Sequence, residues 1–193
     1  MSLLRRQVTR PDVLAAQGRE LIDRSARAHR ARWGAGSADR CELDESAGVL
    51  RWTFRDRVVE APVQVLGRCS GTGSARDWVW GWADDSVPAP LRSASDAVRQ
   101  WGLDHGHEWL TAGTVHGITP ERVADLAALG FVVTRATGFY RAPQPTGHFY
   151  LTFGPVTVLD RSGVPQPLTV DLEPSDRSLQ RSWPGATVRR RGA

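Results

Sequence analysis

The chain has no lysine. All 25 basic residues among its 193 are arginine, set against 21 acidic residues for a net charge of +4. A P-loop is thereby excluded, because its lysine reaches the nucleotide phosphates. Ser70-Gly71-Thr72-Gly73-Ser74 has the composition of a phosphate cradle, but a strand-like run follows it instead of a helix, so it reads as a hairpin turn. Cysteine is scarce. Cys41 and Cys69 are too few for a secreted disulfide scaffold, so they read as small core residues in a reducing, cytoplasmic compartment. No apolar run is long enough for a membrane span, and Met1–Arg10 lacks the apolar region of a signal peptide. Gly-x-Ser-x-Gly and His-Glu-x-x-His motifs are absent, as are internal repeats. Phosphate-backbone binding needs positive charge gathered on one face. Here Asp12, Glu20 and Asp23 lie among Arg10, Arg19 and Arg24, and the run Arg189–Arg191 sits near the end. The balance argues against nucleic acid and membrane partners.

What is present suits one domain. Hydrophobic residues make up 40% of the chain, and eight are tryptophan. Residues 10–160 read as a single α+β domain, and 161–193 as a C-terminal extension, partly disordered and rich in proline and polar residues. Residues 11–33 predict an amphipathic helix that Pro11 opens and Gly34 stops, with Leu14, Gly18, Leu21, Ile22 and Ser25 on one face. The period then changes to two. Cys41 and Leu43 alternate with charge, then Leu50, Trp52 and Phe54, then Val63 and Val65, then Trp78, Trp80 and Trp82. Four such runs joined by short turns predict an antiparallel meander, although Leu66 blurs the third.

Helical spacing returns over 90–104. Thr119-Pro120-Glu121 is a helix start: a capping hydroxyl, a proline at the first position and an acid in the first turn. The helix runs to at least Leu129. Beyond it, Gly130 and the β-branched Val132-Val133-Thr134 point to an ending, while Leu126, Leu129, Val133, Ala136 and Tyr140 keep the helical spacing. His148–Phe153 predicts a further strand, Val156–Leu159 extends it, and Leu168–Leu172 reads as a weak one.

Trp78, Trp80 and Trp82 fall on one face of a strand. Each ring buries about 150–250 Å², worth about 4–6 kcal/mol. Three exposed rings would forfeit a sum comparable to the net stability of a domain, about 5–15 kcal/mol. Most of the stripe must be core, with a terminal ring (Trp78 or Trp82) partly exposed. The competing reading is an aromatic groove.

Other chemistry is sparse. His105-Gly106-His107-Glu108 brings metal-ligating types together, but a third ligand would have to come from His116, His148 or Asp104, and a solvated helix end explains the cluster without a metal. In Gly138-Phe139-Tyr140-Arg141-Ala142-Pro143 a guanidinium meets an aromatic at an element boundary. Arg141 there serves either as a bidentate carboxylate binder or as a partner for an acid at the core edge. No pattern calls for a cofactor or a metal.

Three segments together resemble a family of uncharacterised proteins from high-GC bacteria that carry a domain of unknown function. They are Asp44–Leu50, the stretch from Gly67 to Ala83 with its W-x-W-x-W strand, and the G-x-Y-R-x-P element Gly138–Pro143 before Phe149–Phe153. The resemblance covers roughly residues 10–155. It implies no activity or catalytic residue, and it favours one longer helix with Gly130 inside it.

The expected fold is therefore α+β and two-layer, with an antiparallel meander sheet covered on one face by helices. The expected function is a non-enzymatic binding or regulatory module for a protein or small ligand. Trp78, Trp80, Trp82, Tyr140, Arg141 and Glu108 are its candidate binding residues. The alternative is an enzyme with a pocket between helices and sheet, using Glu108, His105, His107 or Arg141.

Overall fold

Alternating residues become strands wherever the chain can return on itself. The computed structural model describes residues 10–33, 38–71, 75–159 and 165–168. β1 (Arg40–Asp44) and β2 (Val49–Thr53) form a hairpin. Asp44 holds its turn, Oδ1 accepting from the Ser46 hydroxyl at 2.7 Å and the Ala47 amide at 3.0 Å. β3 (Val58–Ser70) follows, then β4 (Arg76–Trp80) and β5 (Thr114–Ile118), each antiparallel to the strand before it. β7 (Gly147–Phe153) lies along β3, and β6 (Gly138–Gln144) flanks β7. β8 (Val156–Leu159) pairs with the first residues of β3, and β9 (Pro165–Leu168) with β8, completing an antiparallel sheet of nine strands among the described residues. The weak strand expected at Leu168–Leu172 and the remainder of the extension lie outside the described residues beyond Leu168.

The structure is α+β, with a meander under helices. Three details differ from the sequence reading. The third run is the middle of a 13-residue strand. Trp82 leaves β4 for a 3₁₀ turn over Gly81–Ala83, so the three indoles do not share one strand. Gly138–Pro143, expected at an element boundary, lies within a strand, Gly138–Gln144.

Leu66 blurs the alternation for a physical reason. The register with β7 shifts between Val65 and Gly67, which makes Leu66 the extra residue of a bulge. Val65 and Leu66 are both buried, in different cores.

The first core lies between sheet and helices. Leu66, Cys69, Trp78, Trp80 and Tyr150 meet α2 (Ser93–His105), α3 (Glu108–Thr111) and α4 (Pro120–Thr134). α4 also carries α1 (Pro11–Trp33) on its outer side, so every residue from Leu126 to Val132 is buried. Gly130 does lie inside this helix. A methyl there would come within 2.8 Å of Leu66 Cδ2, so glycine lets α4 settle on the bulge. Thr119 caps the start of the helix, its hydroxyl accepting from the Arg122 amide at 3.3 Å. Arg135 ends it in the left-handed region, at φ 54°.

The second core is on the opposite face. There Leu50, Trp52, Val59, Val63, Val65, Leu151 and Phe153 are buried together. The Trp52 ring on β2 meets Phe153 of β7 at 5.4 Å and Tyr140 of β6 at 6.1 Å. The sheet therefore curls over itself at β3.

Candidate functional site

The tryptophan run divides. Trp78 and Trp80 have no exposed surface, contact each other edge-on at 5.2 Å, and belong to the first core. Trp78 lies over Gly67, where a Cβ would stand 2.7 Å from its ring. Trp82 is half-buried beneath the Arg99 guanidinium, 4.4 Å from the ring centroid. It is the partly exposed terminal ring.

Tyr140 and Arg141 are neighbours in sequence that face opposite ways, because strand side chains alternate. Tyr140 packs on the second core, where burial first and a Cys41 hydrogen bond second push its phenol up to about 12. Arg141 is exposed on the helix side, in register with Tyr150. Glu108 is exposed at the start of α3. Close by, Trp101 is stacked by His105 at 4.3 Å and by His107 at 5.3 Å, and burial followed by the His105 charge holds His107 below the usual histidine range. No three potential metal ligands gather among the described residues.

Polar groups do converge around Arg141. The pairings Arg141–Tyr150 and Cys69–His148 place two rows of side chains beside each other on the helix face of the sheet. Arg76 occupies the same face, two residues before Trp78 on β4. Tyr150 is 5% exposed, and its ring meets Trp78 at 5.1 Å and His148 at 6.5 Å. Burial and the Cys69 charge push that phenol above its ordinary value, against the opposing pull of Arg141 and Arg76. His148 is held below its ordinary value by burial, then by Arg141, then by Arg76. Burial raises the Cys69 thiol more than Arg76 lowers it, so the sulfur stays protonated at neutral pH. Arg76 Nε is enclosed and has no acceptor among the described residues.

The rim is thus rich in donors, with two guanidiniums and an imidazole beside a phenol. Glu121, in the first turn of α4, is a carboxylate that senses Arg76. Of these residues the sequence singled out Arg141 for binding. Arg76, His148 and Tyr150 were missed in this role. The available signal was parity, since Arg76 lies on the Trp78 side of β4 and His148 and Tyr150 share one face of β7.

Residues 12–156 match the model of a family described as Family of unknown function (DUF6882). No curated protein matches the chain. No solved structure does either.

Proposed function

The chain belongs to this family of unknown function, DUF6882, and from that premise we propose a non-enzymatic binding module that captures an anionic group at the rim of Arg141, Tyr150, His148 and Arg76. One observation carries the reading: Arg141 and Arg76 share the helix face of the sheet with His148, and after burial their charges hold its imidazole towards the neutral form. An arriving anion would relieve that repulsion and supply the acceptor that Arg76 Nε lacks. Binding is favoured over catalysis because the rim thiol is protonated and only 2% exposed, a poor nucleophile. His148 has cations as its charged neighbours, and these do not activate it as a base.

The compartment belongs to this reading too. Two unpaired thiols, Cys41 exposed and Cys69 buried, fit a reducing cytoplasm, and the all-arginine basic set fits a high-GC bacterial source. Among the described residues no helix is long and apolar enough to cross a membrane.

The test is calorimetric titration with inorganic phosphate, pyrophosphate and citrate. Wild type should bind at least one saturably, and more weakly as salt rises. A charge-assisted contact is worth about 1.5–3 kcal/mol, and Arg141 is exposed, so Arg141→Ala should weaken binding about tenfold without lowering Tm. Equal affinity in wild type and variant, or hydrolysis of bound pyrophosphate, defeats the proposal.

A further inference from the structure

The far end of α4 has a different character. An open groove of about 320 Å³ lies where α2 begins, α4 ends, and β3 and β7 run beneath. That volume is at the small end of ligand sites. Its floor is Thr152, its walls include Ala94, Val133 and Phe153, and Ser93 and Arg135 stand at its mouth.

Thr152 is a central-strand residue with 2% of its surface exposed, and its hydroxyl makes no hydrogen bond among the described residues. Other buried or half-buried hydroxyls nearby do. Ser95 donates to the Arg92 carbonyl at 2.8 Å, Thr134 to the Gly130 carbonyl at 2.8 Å, and Thr137 to the Gly154 carbonyl at 2.6 Å. The contrast matters, because a buried polar group normally finds a partner.

The start of α2 adds a second feature. Its N-cap residue is Arg92, whose side chain makes no cap bond. Gln64 of β3 substitutes, its Oε1 accepting from both the Ser93 amide at 3.0 Å and the Ser93 hydroxyl at 2.6 Å. Ala94, in that first turn, lines the groove, so the positive end of the helix faces it. Arg135 is the one charged residue among the described lining, and it sits in a left-handed conformation where glycine is usual. Backbone strain of this kind gathers at functional positions.

We infer that this groove is a second site, for a small carboxylate whose oxygens take the Thr152 hydroxyl and the first turn of α2 and whose carbon end rests on Ala94 and Val133. It is separate from the Arg141 rim. Thr152 follows Tyr150 by two residues on the same face of β7, about 7 Å on, with the rim at the start of α4 and the groove at its end.

The experiment titrates acetate, butyrate, pyruvate and benzoate into the Arg141→Ala protein, so that carboxylates meeting the rim do not confuse the reading. Saturable binding of at least one is expected. Adding Thr152→Val, which keeps the shape and deletes the hydroxyl, should weaken that binding at least tenfold while Tm stays level or rises. Arg135→Gly should also bind more weakly, about fivefold, in a protein no less stable. No saturable binding by any of the four acids overturns the inference. So does unchanged affinity in Thr152→Val, or a lowered Tm showing that the hydroxyl serves the fold.

Discussion

Trp78→Ala and Trp82→Ala should part company sharply. Trp78 is fully enclosed, touching Trp80 at 5.2 Å and Tyr150 at 5.1 Å. Its area alone, about 150–250 Å² at roughly 25 cal/mol per Å², is worth about 4–6 kcal/mol as an upper figure. Truncations of buried tryptophan cost about 3–5 kcal/mol. That is a large share of a domain stability of about 5–15 kcal/mol. Trp82 is half-buried and gives up mainly its stack with Arg99. A stack of that kind is worth about 0.5–1 kcal/mol at an exposed site, so with its partial burial the loss should be about 1–2 kcal/mol. Guanidinium unfolding followed by far-UV circular dichroism measures both without relying on the deleted fluorophore. A Trp78→Ala protein no less stable than Trp82→Ala would refute the division of the run into core and rim.

Gly67→Ala should cost about 1–3 kcal/mol, because the added methyl would stand 2.6 Å from the Val79 carbonyl and 2.7 Å from the Trp78 ring, neither free to retreat; a thermal melt like wild type would contradict this. Asp84 is 6% exposed and accepts from Arg68 Nε at 2.9 Å and the Ser86 hydroxyl at 2.6 Å. Burial pushes its carboxyl up, but these partners together outweigh burial and hold it below the ordinary value. Asp84→Asn should therefore lose about 2 kcal/mol near neutrality. The gap to wild type should persist above roughly pH 4, the unfolded value, and close as acid protonates the native carboxylate below it; a gap independent of pH down to acid unfolding counts against the linkage. His29, His107 and His148 are all held below the usual histidine value, with burial the first cause in each. On acidification the unfolded chain takes up protons first, so stability should fall as pH drops through about 6.5 towards the native values. Urea midpoints at pH 7.5 and 5.5 check this, and equal midpoints would speak against it.

Much of the sheet was legible because each hairpin strand hides one face, and Leu50 and Trp52 announce that face at period two. α1 was legible for the same reason at period 3.6. α4 was legible from its Thr119 cap to Leu129, and from the residues alone only its end stayed open. Covered by α1 on one side and the sheet on the other, its stretch Leu126–Val132 is apolar all round, and a helix segment buried on every side loses the stripe that marks it. The W-x-W-x-W spacing continues unbroken from Trp78 to Trp82, yet the strand stops at Trp80, since spacing reports polarity and not the hydrogen bonds that end a ladder. β5 gave no signal because four of its five residues, Thr114–Gly117, are half-buried or exposed. The rim was half legible. Arg141 stood out beside an aromatic, but His148 and Arg76 become its companions only through the pairing of β3 with β7, nearly eighty residues apart in sequence.

The extra residue at Leu66 gives β3 an odd count between its two ends. Before it, Val59, Ala61, Val63 and Val65 point away from the helices; after it, Gly67 and Cys69 point towards them. Deleting this one leucine would make Val65 and Gly67 neighbours opposite Leu151 and Tyr150 of β7, leaving a regular ladder in which the other side chains keep their faces. What would be lost is the Leu66 side chain itself, which fills the space beneath Gly130 in the first core.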